Sequence, residues 1–146
     1  MKAERLFDVT GQVAFVTGAA SGLGLAMAEV MAVNGARVTL LDKDNAALET
    51  AVGRLRRDGQ DVTGITVDVA DLDLLRQAID ATAARCGRLD AVFANAGISA
   101  GPSFATPEGE MGAVLLAKWN EVLQVNLTSV FETIRVAAVS GVTSLR

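Results

Sequence analysis

The sequence predicts an α/β fold: a doubly wound parallel sheet with helices on both faces. Three observations carry this. Short, continuously apolar runs alternate strictly with segments of helical period, polar and glycine punctuation closes the helical segments, and the first apolar run ends in a glycine-rich turn that opens a helix. A run that is apolar throughout reads as a strand buried on both faces, as strands of parallel sheets are. Right-handed crossovers between such strands place helices on both sides of the sheet.

The elements follow in order. Residues 13–16 form the first strand, and Leu25, Ala28 and Ala32 mark one face of the helix after it. Residues 38–41 form the second strand, followed by a helix with Leu48, Ala51, Val52 and Leu55 on its apolar side. Residues 62–67, with Gly64 inside, form the third, and Leu72, Leu75, Ile79, Thr82 and Cys86 line the next helix. Residues 89–94 form the fourth. Asn34-Gly35 and Asp58-Gly59 close the first two helices, and Asp71 caps the start of the third. From residue 96 to about residue 112, Gly97, Gly101, Pro102, Pro107 and Gly109 spell a loop. From about residue 115 to residue 139 the period is helical again, with Trp119, Val122, Leu123, Leu127, Val130, Phe131 and Ile134 apolar. Asn126, Glu132 and Arg135 interrupt that stretch too often for a membrane span. Residues 140–146 read as a polar stub, and no repeat or linker divides the chain, so residues 1–146 are expected to form one domain.

Composition narrows the chemistry. An apolar content of 51% with 21% charged residues is the balance of a core-forming protein. The net charge is -4, and the basic residues are scattered apart from Arg54, Arg56 and Arg57, so no nucleic-acid footprint is expected. Histidine is absent, which excludes His-ligated zinc hydrolases and Ser-His-Asp triads, and no metal site is expected. The single cysteine, Cys86, is expected to be a buried structural thiol. Residues 1–5 lack the apolar core of a secretory signal, so a cytoplasmic protein is expected.

The turn Thr17-Gly18-Ala19-Ala20-Ser21-Gly22-Leu23-Gly24 fits a dinucleotide. A pyrophosphate needs backbone N–H donors and close approach of the chain, which glycine permits, and the positive end of the following helix faces the phosphates. Asp42 ends the second strand 20 residues after Gly22, where a carboxylate can accept hydrogen bonds from the adenosine ribose hydroxyls. The same carboxylate repels a 2'-phosphate, which favours NAD over NADP, although the neighbouring Lys43 can neutralise such a phosphate. A helix cap before Asn45 and Ala46 is the alternative role for Asp42.

The spacing T-G-x-x-x-G-x-G resembles the short-chain dehydrogenase/reductase family, and further motifs match it in order over residues 7–139. Asp68-Val69 resembles the family's adenine-contacting pair, and Asn95-Ala96-Gly97 resembles its N-A-G motif. Asn126 resembles the asparagine that supports the catalytic proton relay. The resemblance implies a Rossmann-like sheet of strand order 3-2-1-4. It also implies a cofactor site that adds Gly18, Ser21, Gly22, Leu23 and Gly24 to Asp42, Asp68, Val69, Asn95, Ala96 and Gly97, with Asn126 as the one member of the catalytic set. Each has a plainer alternative: Asp68 can cap the turn before the next helix, Asn95-Ala96-Gly97 can be an ordinary turn, and Asn126 can sit at a helix bend.

The family pattern also calls for a serine after a fifth strand and a tyrosine four residues before a lysine. This chain has no tyrosine, and its lysines, Lys2, Lys43 and Lys118, all precede that place. Ser99, Ser103, Ser129, Ser140 and Ser144 lie on the wrong elements to substitute. The chain is therefore expected to be the shortened N-terminal part of such an enzyme, lacking the C-terminal strands and helices and inactive alone. A small alcohol or ketone is the implied substrate of a full-length form. The fourth strand is expected to be a sheet edge, and the last helix, one of two that form the family's dimer face, points to a homo-oligomer. A non-catalytic NAD-binding or partner-interaction module is the competing expectation.

Overall fold

The computed structural model describes residues 8–101 and 115–140. Its elements run β1 (Val13–Thr17), α1 (Gly22–Val33), β2 (Arg37–Asp42), α2 (Asn45–Arg57), β3 (Val62–Thr66), α3 (Leu72–Cys86), β4 (Ala91–Phe93), α4 (Leu116–Leu123), a π-helical segment (Gln124–Thr128) and α5 (Ser129–Ser140). The anticipated loop from residue 96 is described only as far as Gly101, so Pro102, Ser103, Pro107 and Gly109 lie outside the described residues. The same holds for residues 1–7 and 141–146.

The sheet has the order β3-β2-β1-β4 with every pairing parallel. Val13 stands opposite Arg37, Val38 opposite Val62 and Ala14 opposite Ala91, so the four C-terminal strand ends come to one edge of the molecule. The expectation of strands buried on both faces holds for β1 but not for β3, where Gly64 and Thr66 are exposed, or for β4, whose three residues are only half-buried. Among the described residues these are the two sheet edges, and an edge strand loses the cover of one neighbour.

Successive side chains of a strand point to opposite faces, and β1 divides the core accordingly. Ala14 and Val16 pack with Ala28, Ala32, Val38, Leu40, Leu48 and Val52 beneath α1 and α2. Phe15 packs on the other face with Leu41, Leu75, Ile79, Val125 and Val136 beneath α3 and α5. The alanines of α1 leave no bulk between that helix and the sheet, which brings the start of α1 close to the end of β1.

Helix termini follow the sequence closely. Asn34 and Asp58 occupy the C-caps of α1 and α2, and Asp71 Oδ1 accepts from the Asp73 and Leu74 amides at 3.2 and 3.0 Å. Cys86 departs from expectation: it is half-buried rather than buried, because the last residue of α3 lies at the helix end beside Arg37.

From Leu116 to Ser140 the chain forms one helix of 25 residues, long and apolar enough by length and composition to cross a membrane. Its second half packs on α3. Val125, Val136 and Ala137 enter the core, and the buried Glu132 pairs with Arg76 of α3 and with Arg135. Gln124 Nε2 also donates to the Ala70 carbonyl at 3.0 Å, which fixes the π-helical segment against the turn after β3.

Candidate functional site

The C-terminal ends of the parallel strands converge on a cleft of about 300 Å3. β1 enters it at Thr17 and turns at Gly18, whose φ of +64° lies in the left-handed region; a Cβ there would stand 2.8 Å from the Ala96 Cα. At Gly24 a Cβ would stand 2.1 Å from the Gly18 carbonyl oxygen, so only glycine lets α1 begin this close to the strand it follows. Ser21 is extended and its side chain makes no capping bond. The N–H groups of the first turn of α1 have no intrahelical acceptor, and together with the helix dipole they form an anion-binding end.

Asn95-Ala96-Gly97 braces this turn and is more than an ordinary reversal of chain. The Asn95 and Ala96 amides donate to Thr17 Oγ1 at 3.0 and 3.1 Å, and Asn95 Nδ2 donates to the carbonyls of Thr17 and Gly18 at 3.2 and 3.3 Å. The end of β4 is thus locked to the end of β1, and the backbone of the glycine turn is held from behind.

Two carboxylates and one ammonium supply the charge. Asp42 Oδ2 accepts from the Ala20 amide at 3.0 Å and Oδ1 from the Asp44 amide at 3.1 Å. The cap of α2 is Asp44, which accepts from the Ala47 amide at 3.0 Å, so the alternative role considered for Asp42 belongs to its neighbour. Asp68 Oδ1 accepts from the Ala70 amide at 2.9 Å, so Asp68 does hold its turn while also lining the cleft. Lys43 Nζ stands 3.9 Å from Asp68 Oδ2.

Of the residues anticipated from sequence, Gly18, Ser21, Asp42, Asp68, Val69, Asn95, Ala96 and Gly97 line the cleft. Gly22, Leu23 and Gly24 do not: Gly24 is buried under the turn, and the Leu23 side chain is 73% exposed. Asn126 stands one layer behind. Its Nδ2 donates to the Ile98 carbonyl and its Oδ1 accepts from the Ile98 amide, both at 2.9 Å. It sits in the π-helical segment, a local widening often found at functional sites, so the helix-bend reading of Asn126 is right about its setting and silent about its bonds. Sequence reasoning missed Val67, Ile98 and Val125 in the lining. Val67 and Val125 carry an apolar signal indistinguishable from core, and nothing in the sequence around Ile98 marks it.

A model of the short chain dehydrogenases matches residues 12–140. The chain belongs to the short-chain dehydrogenase family. D-threitol dehydrogenase of Mycolicibacterium smegmatis is 36% identical over 125 residues, covering 86% of this chain and 45% of the relative. (+)-Borneol dehydrogenase 1 of Salvia officinalis is 35% identical over 128 residues, covering 88% and 46%. Among solved structures, a short-chain dehydrogenase of Burkholderia phymatum in complex with NAD superposes with a TM-score of 0.83 at 34% identity, covering 92% of this chain and 46% of that one. A variant actinorhodin polyketide ketoreductase with NADPH gives 0.80 at 29% identity, covering 97% and 49%. This short-chain dehydrogenase chain spans about half the length of the relatives it matches or less. Family membership makes the fold that of a dinucleotide-binding oxidoreductase, and the glycine turn, its brace and the two strand-end carboxylates are the parts of that fold the cleft displays.

Proposed function

We propose that this chain holds NAD(H) for hydride exchange between the cofactor and a secondary alcohol or ketone, the exchange being an activity of the whole protein. The observation that carries the reading is Asp42, a carboxylate lining the cleft and fixed by the Ala20 and Asp44 amides, one strand away from an uncapped helix N-terminus. The adenosine ribose hydroxyls would donate to Asp42 and the pyrophosphate would meet the first turn of α1. The cofactor supplies the hydride chemistry; the residues of this chain bind and orient it. Asn126 acts by holding the backbone at Ile98, next to Gly97 on the cleft wall. The 146 residues contain neither tyrosine nor histidine, so binding without turnover is the reading for the chain by itself.

A non-catalytic binding module is the second reading, favoured by the same lack of a proton-transferring tyrosine and by the exposed apolar side of the last helix. Titrating NADH and NADPH into the purified chain, with and without a panel of secondary alcohols, tests both. Saturable NADH binding is expected, and Asp42→Ala is expected to weaken NADH by ~10-fold, the value of one hydrogen bond to a charged group, while sparing NADPH. Equal loss for both nucleotides would make Asp42 purely structural. A well-folded sample without saturable NADH binding would remove both readings.

A further inference from the structure

We infer that Lys43 and Asp68 form an ionic strap across the adenosine end of the cleft, which a dinucleotide opens, and that the released ammonium then serves a 2'-phosphate. The inference rests on the dinucleotide reading above. Lys43 directly follows β2 and Asp68 lies in the turn after β3, so the pair bridges the C-terminal ends of two neighbouring strands. Nζ and Oδ2 are 3.9 Å apart, with the two side chains 59% and 48% exposed. Ion pairs that open to solvent contribute little net free energy, so this one exchanges partners easily.

The two carboxylates of the cleft are committed differently. Both oxygens of Asp42 accept backbone amides, from Ala20 and Asp44, and its position is fixed. Asp68 spends only Oδ1 on the backbone, at the Ala70 amide, and its Oδ2 faces Lys43. A base with an exocyclic amino donor can take Asp68 Oδ2 only by displacing the ammonium. Lys43 is the sole cationic side chain lining the cleft among the described residues, and it sits beside Asp42 in sequence. A 2'-phosphate arriving at the ribose therefore meets one fixed anion and one movable cation. Asp42 acting alone would discriminate strongly against NADP(H); the strap lowers that discrimination by delivering its cation to the same place.

Parallel titrations of NADH and NADPH into the wild-type chain, Lys43→Met and Asp68→Asn test this. Lys43→Met is expected to lower NADPH affinity by ~10-fold while leaving NADH unchanged or tighter, the difference of about one charge-assisted contact. Asp68→Asn keeps an oxygen for the Ala70 amide but releases Lys43, so the ratio of NADPH to NADH affinity is expected to rise. Melting curves that coincide with wild type would establish that both variants fold. Equal effects of Lys43→Met on the two nucleotides, or a ratio that does not rise in Asp68→Asn, would overturn the strap while leaving the dinucleotide reading in place. A wild-type chain that binds neither nucleotide would overturn both.

Discussion

Asn126 holds Ile98 by both ends of its carboxamide: Nδ2 donates to the Ile98 carbonyl and Oδ1 accepts the Ile98 amide, each at 2.9 Å across 28 residues of sequence. The long helix is thereby tied to the segment that follows β4, and the segment carries Gly97 and Ile98 into the cleft. Asn126→Asp keeps the acceptor and loses the donor, and Asn126→Ala loses both. At about 1 kcal/mol for each net hydrogen bond, the alanine variant is expected to unfold several degrees lower than wild type, with the aspartate variant between them. NADH binding should weaken in the same order. Thermal melts and titrations on the three proteins check this, and unchanged binding in both variants would reduce Asn126 to a helix residue.

The glycine turn separates two costs that glycines usually mix. Gly22 is left-handed at φ +56°, and a methyl group at its Cα would meet nothing within 4 Å, so Gly22→Ala costs only backbone strain, about 1–2 kcal/mol. Gly24 is helical, and a methyl there would meet the Gly18 carbonyl oxygen at 2.1 Å and Asn95 Nδ2 at 2.5 Å. Gly24→Ala must push α1 away from β1 and disturb the Asn95 brace, and the expected loss exceeds that of Gly22→Ala despite alanine's better helix propensity. Denaturant unfolding of the two variants decides it; a milder Gly24→Ala would mean that α1 moves freely over the sheet.

The parts of this molecule that were legible in the sequence are those governed by local spacing. The strand order follows from the alternation of elements and the glycine turn, and Asp71, Asn34 and Asp58 cap where their residue types favour it. Burial depended on the strand's place in the sheet: the apolar run that yields the fully buried β1 yields a half-exposed β3, because β3 stands at an edge. Asp42 and Asp44 are both acidic residues at the end of β2, and only the backbone path decides that Asp44 caps α2 and leaves Asp42 to the cleft. The bond between Asn126 and Ile98 joins positions whose spacing carries no period, so the residue was recognisable by its motif and its partner was not.

The last helix leaves one side without cover among the described residues. Leu116, Trp119, Leu123, Leu127, Phe131 and Ile134 recur every three or four residues and are all exposed, Phe131 by 63%. A contiguous apolar stripe of this length on a protein surface marks an association site. The wild-type chain is expected to sediment as a dimer or larger species, and the double variant Leu127→Lys with Phe131→Glu as a monomer with an unchanged melting temperature. A wild-type chain that stays monomeric at high concentration would leave the stripe to a different partner.

The opposite side of that helix carries a testable pH dependence. Glu132, with only 6% of its side chain exposed, accepts from Arg135 at 2.6 and 2.9 Å and from Arg76. Those two guanidiniums, Arg135 foremost, hold its carboxyl at about 2 against an ordinary 4.5, outweighing the opposite push of burial. The folded protein therefore binds this proton less readily than the unfolded chain, so the contribution to stability is complete above about pH 4.5 and is lost as the pH falls towards about 2. Asp90 contributes in the same direction: burial pushes its carboxyl up, but Arg88 and the Val13 amide outweigh it and hold it low. Glu132→Gln is expected to melt lower than wild type at neutral pH and to lose less stability on acidification, keeping only the part due to Asp90 and other carboxylates. Melting temperatures of both proteins measured from neutral pH into the acid range check the sign, and parallel curves would show that the pairing of Glu132 with Arg76 and Arg135 does not seat α5 on α3.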